Sequence, residues 1–180
     1  LNHQDTKTPR PNAAATTAAV LLGAWLAGTL AMWFVATQNF RTVDRILNGP
    51  TQEAGPVIQA MGPASLRPVL RHLSSELNRK FFVAWGAAEV ALGLGVLALL
   101  LHTGRRTDAL IAGAMLAVAL GLLVGLTPPI ISIGRAIDFL PRDPYPPQWT
   151  TFWRLHLAYT GLDGLKLLAG LALAWRMVYR

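Results

Sequence analysis

Four stretches of the chain stay apolar long enough to cross a hydrocarbon layer ~30 Å thick, for which a helix needs about 17–25 residues. They run over 13–37, 81–101, 109–127 and 152–175, and polar residues, glycines and prolines break the hydropathy between them. None alternates with the period of two that a barrel strand shows. Lipid offers the backbone no hydrogen-bond partners, so these runs are predicted to be α-helices. The fold class that follows is all-α: an integral-membrane four-helix bundle, with a flexible polar arm at 1–12 and one four-span domain at 13–180. The first run exceeds the ~7–15 apolar residues of a signal-peptide core and reads as a retained span.

The connections differ in kind. A short polar turn, His102–Asp108, makes the second and third spans antiparallel neighbours. Some forty residues separate the first span from the second, punctuated by Gly49-Pro50, Gly55-Pro56 and Gly62-Pro63, each a turn signal. Within them Leu66, Leu70, Leu73 and Leu77 recur at helical spacing opposite Arg67, Arg71, Ser75 and Asn78. This predicts a separate amphipathic helix over 64–78, its leucines turned into the headgroup region or onto the bundle. Pro68 suits only the first turn of such a helix. The third span should stop or kink at Thr127-Pro128-Pro129. A second interfacial segment follows at 130–140, with Arg135 and Asp138 spaced to pair at i,i+3. Four prolines then predict an extended linker over 141–148. Trp33 and Phe34, near the end of the first run, have the composition of interface anchors.

Composition adds constraints rather than a function. Apolar residues make up 53% of the chain, above the ~45–50% of soluble domains. The charge of +7 comes from residues at span ends and in connections, where anionic headgroups are the natural partner and nucleic acid is not. Membrane lipids and other membrane subunits are the expected partners. The absence of cysteine removes disulfides, thiolate metal sites and a Cys nucleophile. Orientation criteria conflict: raw Lys/Arg counts favour the long-loop side as cytoplasmic, and charge per loop residue favours the side of the 102–108 turn, which both termini share.

The chemistry with the clearest pattern lies in the fourth run. His156, Tyr159, Thr160, Asp163 and Lys166 fall on one side of a helix inside an apolar segment. Ionisable groups at membrane depth cost roughly 2.5–3.5 kcal/mol each on insertion scales and so face protein or water. Glu89 lies at matching depth in the second span and should meet that stripe. The cluster reads either as polar glue between helices or as a relay, ion site or ligand pocket. His156 is the candidate cofactor contact, but it has no second intramembrane histidine to complete a bis-His haem site. The scattered methionines make no copper track. No cofactor, metal or catalytic set is expected, although a bound lipid or pigment is compatible. Gly121-x-x-x-Gly125, Gly161, Gly164 and Gly170 are expected to permit close helix approach.

Phe152-x-x-x-His156-x-x-x-Thr160-x-x-Asp163, the entry motif Leu77-Asn78-Arg79-Lys80-Phe81-Phe82, and Thr127-Pro128 together resemble the transmembrane-protein-205-like four-span family, a domain of unknown function. Asp163 stands where that family has Asn, and Thr127 where it has Glu. The resemblance implies the four-span layout, which is similar to copper-resistance membrane domains and to a haem-linked oxidase family. The chain lacks the first-helix histidine of the latter. The leading functional expectation is a non-enzymatic accessory subunit packing within a larger energy-transducing or transport complex. The alternative is a small transporter or cofactor-handling protein using the Glu/His/Asp/Lys cluster.

Overall fold

The computed structural model describes residues 13–179, and among these every regular element is helical. The helices are α1 (Ala13–Asn48), α2 (Ala54–Met61), α3 (Pro63–His102), α4 (Arg106–Leu120), α5 (Thr127–Ile137) and α6 (Gln148–Tyr179). A π-helical segment, Gly121–Leu126, joins α4 to α5 without a break. Four helical rods, 13–48, 63–102, 106–137 and 148–179, are long and apolar enough to cross a membrane. The expected arm at 1–12 lies outside the described residues.

The rods close a ring of neighbours: α1 packs on α3, α3 on α4, α4 on α6, and α6 on α1. The core that fills the ring is Leu22, Trp25, Val96, Leu100, Met115 and Leu173 with the small residues between them. Close approach is needed at Gly93, where a Cβ would sit 2.8 Å from the Trp25 ring and 3.0 Å from Leu116, and at Gly170, where it would strike Leu26 and Met115. Gly121, Gly125 and Gly161 have open space around them, so these expected packing glycines are not where the helices meet. Which glycines matter depends on the face each helix turns inward, and hydropathy alone does not fix that.

Two departures from the sequence reading have clear physical causes. First, 64–78 is not a separate helix: it is the opening half of α3, a continuous rod of 40 residues, about 60 Å long at ~1.5 Å per residue. Pro68 sits inside that rod rather than in its first turn. Leu66 and Leu70 pack on a small cluster with Val43, Leu47 and Ile58, but Leu73 and Leu77 are 56% and 40% exposed. Ser74 and Asn78 are buried instead. The inward face is polar because it finds polar partners: Asn78 donates to the Ala36 carbonyl (3.2 Å) and accepts from Asn39 (2.5 Å), and the Ser74 hydroxyl donates to the Asn39 carbonyl (3.3 Å).

Second, Pro128 and Pro129 do not stop the third rod. Each removes an N–H, and a proline ring crowds the carbonyl four residues back. The widened π turn accommodates both defects, and the Leu122 carbonyl accepts from both the N–H and the hydroxyl (2.8 Å) of Thr127. After α5 the chain bends through 138–147 rather than running extended. Tyr145 stacks on Trp149 at 5.1 Å and the Arg142 guanidinium lies over the Trp149 ring.

Candidate functional site

The polar groups of the long helices gather into three places. At mid-depth in the ring, Lys166 of α6 reaches across to Glu89 of α3 and also pairs with Asp163 one turn back, Nζ to Oδ1 2.6 Å. The side chains of Lys166 and Glu89 are each only 1% exposed. α3 and α6 lie opposite each other in the ring, so a long lysine stem is what makes the contact. α1 supplies the remaining donors. The Trp25 indole N–H donates to Glu89 Oε1 at 3.0 Å, and the Thr29 hydroxyl lies 3.1 Å from the same oxygen. The Trp33 indole N–H donates to Asp163 Oδ2 at 2.7 Å. Trp33 therefore points inward, not to the interface as expected. The carboxylates and ammonium are thus hydrogen-bonded from three helices, which is what buried charges require.

The sequence stripe divides here. Asp163 and Lys166 join Glu89, whereas Thr160 is exposed and its hydroxyl donates only to the His156 carbonyl of its own helix (2.9 Å). His156 and Tyr159 instead line a cavity nearer the long-loop end. Trp25, Thr29 and Trp33 were missing from the expected site. Their signal was present in the sequence: Trp25, Thr29 and Trp33 follow one another at i, i+4 and i+8 on one face of the first run.

The second place lies at the long-loop end, where α1, α3 and α5 are stapled by ion pairs. Arg67 and Arg71 bind Asp44 of α1, at 2.6 and 3.3 Å. Arg79 bridges Glu76 (2.5 Å) and Asp138 (2.9 Å), Arg135 binds Glu76 (2.8 Å), and His72 Nδ1 lies 2.7 Å from Asp138. The expected Arg135–Asp138 pair does not form, because each residue has a better-placed partner on α3. Hydrogen bonds from Arg135 and then Arg79 hold the Glu76 carboxyl down at about 2. His72, Glu76 and Asp138 bring potential ligand atoms within 4.8 Å of one another. Their carboxylate oxygens already accept from guanidinium groups. A cation would have to enter against Arg79 and Arg135, so the donor set does not fit a metal. Arg71 Nε, in this region, is the one buried side-chain polar atom without a partner among the described residues.

The third place is the opposite end, where Asp108 accepts from Arg105 (2.7 Å) in the turn and Arg176 (2.7 Å) near the end of α6. Burial pushes the Asp108 carboxyl up, but hydrogen bonds from Arg176 and Arg105 outweigh it and leave the group below its ordinary range. This staple sets the end of α6 beside the start of α4. Comparison of the chain with protein-family models, curated proteins and solved structures gives no match.

Proposed function

We propose that this chain is a four-span integral membrane protein with a structural, non-enzymatic role, packing as an accessory subunit within a larger membrane complex. The observation that carries the reading is that its intramembrane charges are paired within the bundle. Glu89, Asp163 and Lys166 bind one another and Trp25, Thr29 and Trp33. A group committed in this way holds helices in register and is not free to bind or turn over a substrate. In the same reading the spans cover the apolar parts of the four rods. The first half of α3, together with α2 and α5, stands at the headgroup level, with Leu73 and Leu77 turned toward lipid or a partner. The motif kinship with the transmembrane-protein-205-like family belongs to this proposal too.

A chain without cysteine gives a clean background for topology. Single cysteines at Thr103 and Tyr145 should label from opposite sides of the membrane, and labelling from one side would overturn the four-span reading. On native electrophoresis of mildly solubilised membranes, the chain should migrate in an assembly well above its own 19.4 kDa, and Asp163→Asn should leave that assembly intact. Migration as a lone monomer would defeat the accessory-subunit reading.

One observation favours a transporter instead: the mid-depth cluster sets two carboxylates against one ammonium. On that reading Asp163→Asn abolishes ion- or proton-driven flux in proteoliposomes while assembly survives.

A further inference from the structure

Between α1, α3, the π–α5 junction and α6 lies a partly open cavity of about 130 Å³. A dry cavity of roughly 150 Å³ is the size that accepts a single benzene ring. Its walls are aromatic: Phe40, Phe82 and Phe152 line it, and Phe82 meets Tyr159 edge-on at 5.7 Å. Set into those walls are Ser75, His156 and Tyr159. Neither the Ser75 hydroxyl nor the His156 ring nitrogens make a hydrogen bond within the protein, in contrast to the paired cluster at mid-depth. His156 is held in place by ring contacts alone, stacked on Phe152 at 5.8 Å and edge-on to Trp153 at 5.4 Å. The cavity also takes a wall from Thr127, at the end of the π segment, and π turns inside α-helices recur at functional sites.

We propose that this cavity binds the head of a lipid-soluble quinone: one planar six-membered ring carrying carbonyl oxygens, with its apolar tail in the bilayer. Volume sets the ring count at one, too few for a haem macrocycle. The free side-chain groups are the Ser75 hydroxyl and the His156 imidazole, both able to donate, while the Tyr159 hydroxyl is shared with Thr127, and ring carbonyls are acceptors that match the free donors. An acyl chain would fill the space but leave those donors unmet, which is costly away from water. Position also matches. Phe82, Thr127 and Phe152 lie at the ends of their spans, where an amphipathic ring sits. A wide apolar groove lined by Val83, Leu123, Pro128 and Ile131 adjoins the cavity, sharing Thr127 and Ile131 with it, and gives the tail an exit. The inference rests on the chain lying in a bilayer, and it stands whether or not the chain belongs to a larger complex.

The test uses the full chain in phosphatidylcholine nanodiscs, titrated with a decyl-substituted benzoquinone and read by tryptophan fluorescence, since Trp149 and Trp153 flank Phe152 and His156. The expected result is a saturable quenching component above the linear quenching by quinone dissolved in the lipid. Ser75→Ala and His156→Leu should each weaken it roughly tenfold, the scale of one lost hydrogen bond. Decylbenzene, which has no carbonyls, should compete poorly. Ile131→Trp, which fills the cavity without touching the donors, should abolish the saturable component while helical circular dichroism is unchanged. This keeps the test decisive if a donor variant misfolds. Strictly linear quenching, equal competition by decylbenzene, or undiminished binding by folded Ser75→Ala and His156→Leu proteins would each overturn the proposal.

Discussion

Replacing Lys166 by Met removes one charge from the centre of the molecule while nearly keeping the side chain's length. The ammonium is the only cation in the mid-depth cluster and serves both Glu89 and Asp163. What remains is two carboxylates facing each other with only Trp25, Thr29 and Trp33 as donors. Removing one partner of a buried ion pair costs about 3–5 kcal/mol in water-soluble proteins, chiefly through the charge left behind. Intramembrane polar contacts average nearer ~0.6 kcal/mol, because the unfolded state in lipid also finds partners. Two stranded carboxylates place this case toward the upper range, and about 3 kcal/mol is the expected loss. For a chain of this size ~1 kcal/mol moves the melting temperature by about 2–4 °C, so Lys166→Met should melt roughly 6–12 °C early in nanodiscs. The decisive comparison is the neutral triple variant, Glu89→Gln with Asp163→Asn and Lys166→Met. It strands no charge and should lie within about 4 °C of the parent, since a neutral replacement of a buried ion pair is often tolerated. A single variant melting with the parent would show that the cluster holds nothing together. A triple variant as unstable as the single one would show that side-chain shape, not charge, sets the effect.

Three further outcomes follow from other parts of the molecule. Glu76 is held from its ordinary 4.5 down to about 2 by Arg135 and Arg79, so its contribution is complete above 4.5 and is lost as pH falls toward 2. Melting curves of the parent should therefore drop more steeply across that window than those of Glu76→Gln, and parallel curves would contradict the staple. Gly93→Ala should destabilise by about 1–3 kcal/mol through overpacking against Trp25 and Leu116, whereas Gly161→Ala, which faces open space, should be neutral or slightly stabilising on the same thermal assay. Asp108→Asn should loosen the end of α6, seen as faster hydrogen exchange over 172–179 with little change near α5, because Arg105 and Arg176 lose their shared acceptor.

The four apolar rods were legible because a run of that length in lipid has only one way to satisfy its backbone. Glu89, Asp163 and Lys166 were legible for a related reason: a charge inside such a run must face a partner. The inward turn of Trp33 was not, since an indole near a span end has the same composition whether it anchors at the interface or reaches inward; only its i, i+4, i+8 spacing with Trp25 and Thr29 hints at the face it shares. The segment 64–78 shows the limit of periodicity. The inward face takes Leu66 and Leu70 from the expected apolar side and Ser74 and Asn78 from a polar one, because Val43, Leu47 and Asn39 of α1, distant in sequence, are what it meets. The π segment likewise arises from a choice open to the chain at Pro128, to end a helix or to widen it, and packing against α3 and α6 accompanies the second.

The unequal length of the rods has a consequence for how the molecule meets its surroundings. At one end, α3 and α4 are joined by a turn of three residues, 103–105, pinned by Asp108 and Arg176. At the other, the stretch of α3 from Pro63 to Lys80 amounts to about 27 Å of rigid helix at ~1.5 Å per residue. It is buttressed by the last turns of α1, by α2 and by α5. Among the described residues the two ends therefore differ, with a short turn at one and a standing mast at the other. A water-soluble neighbour approaching the mast meets a preformed, charge-braced ridge. That asymmetry is fixed by the length of a single uninterrupted helix.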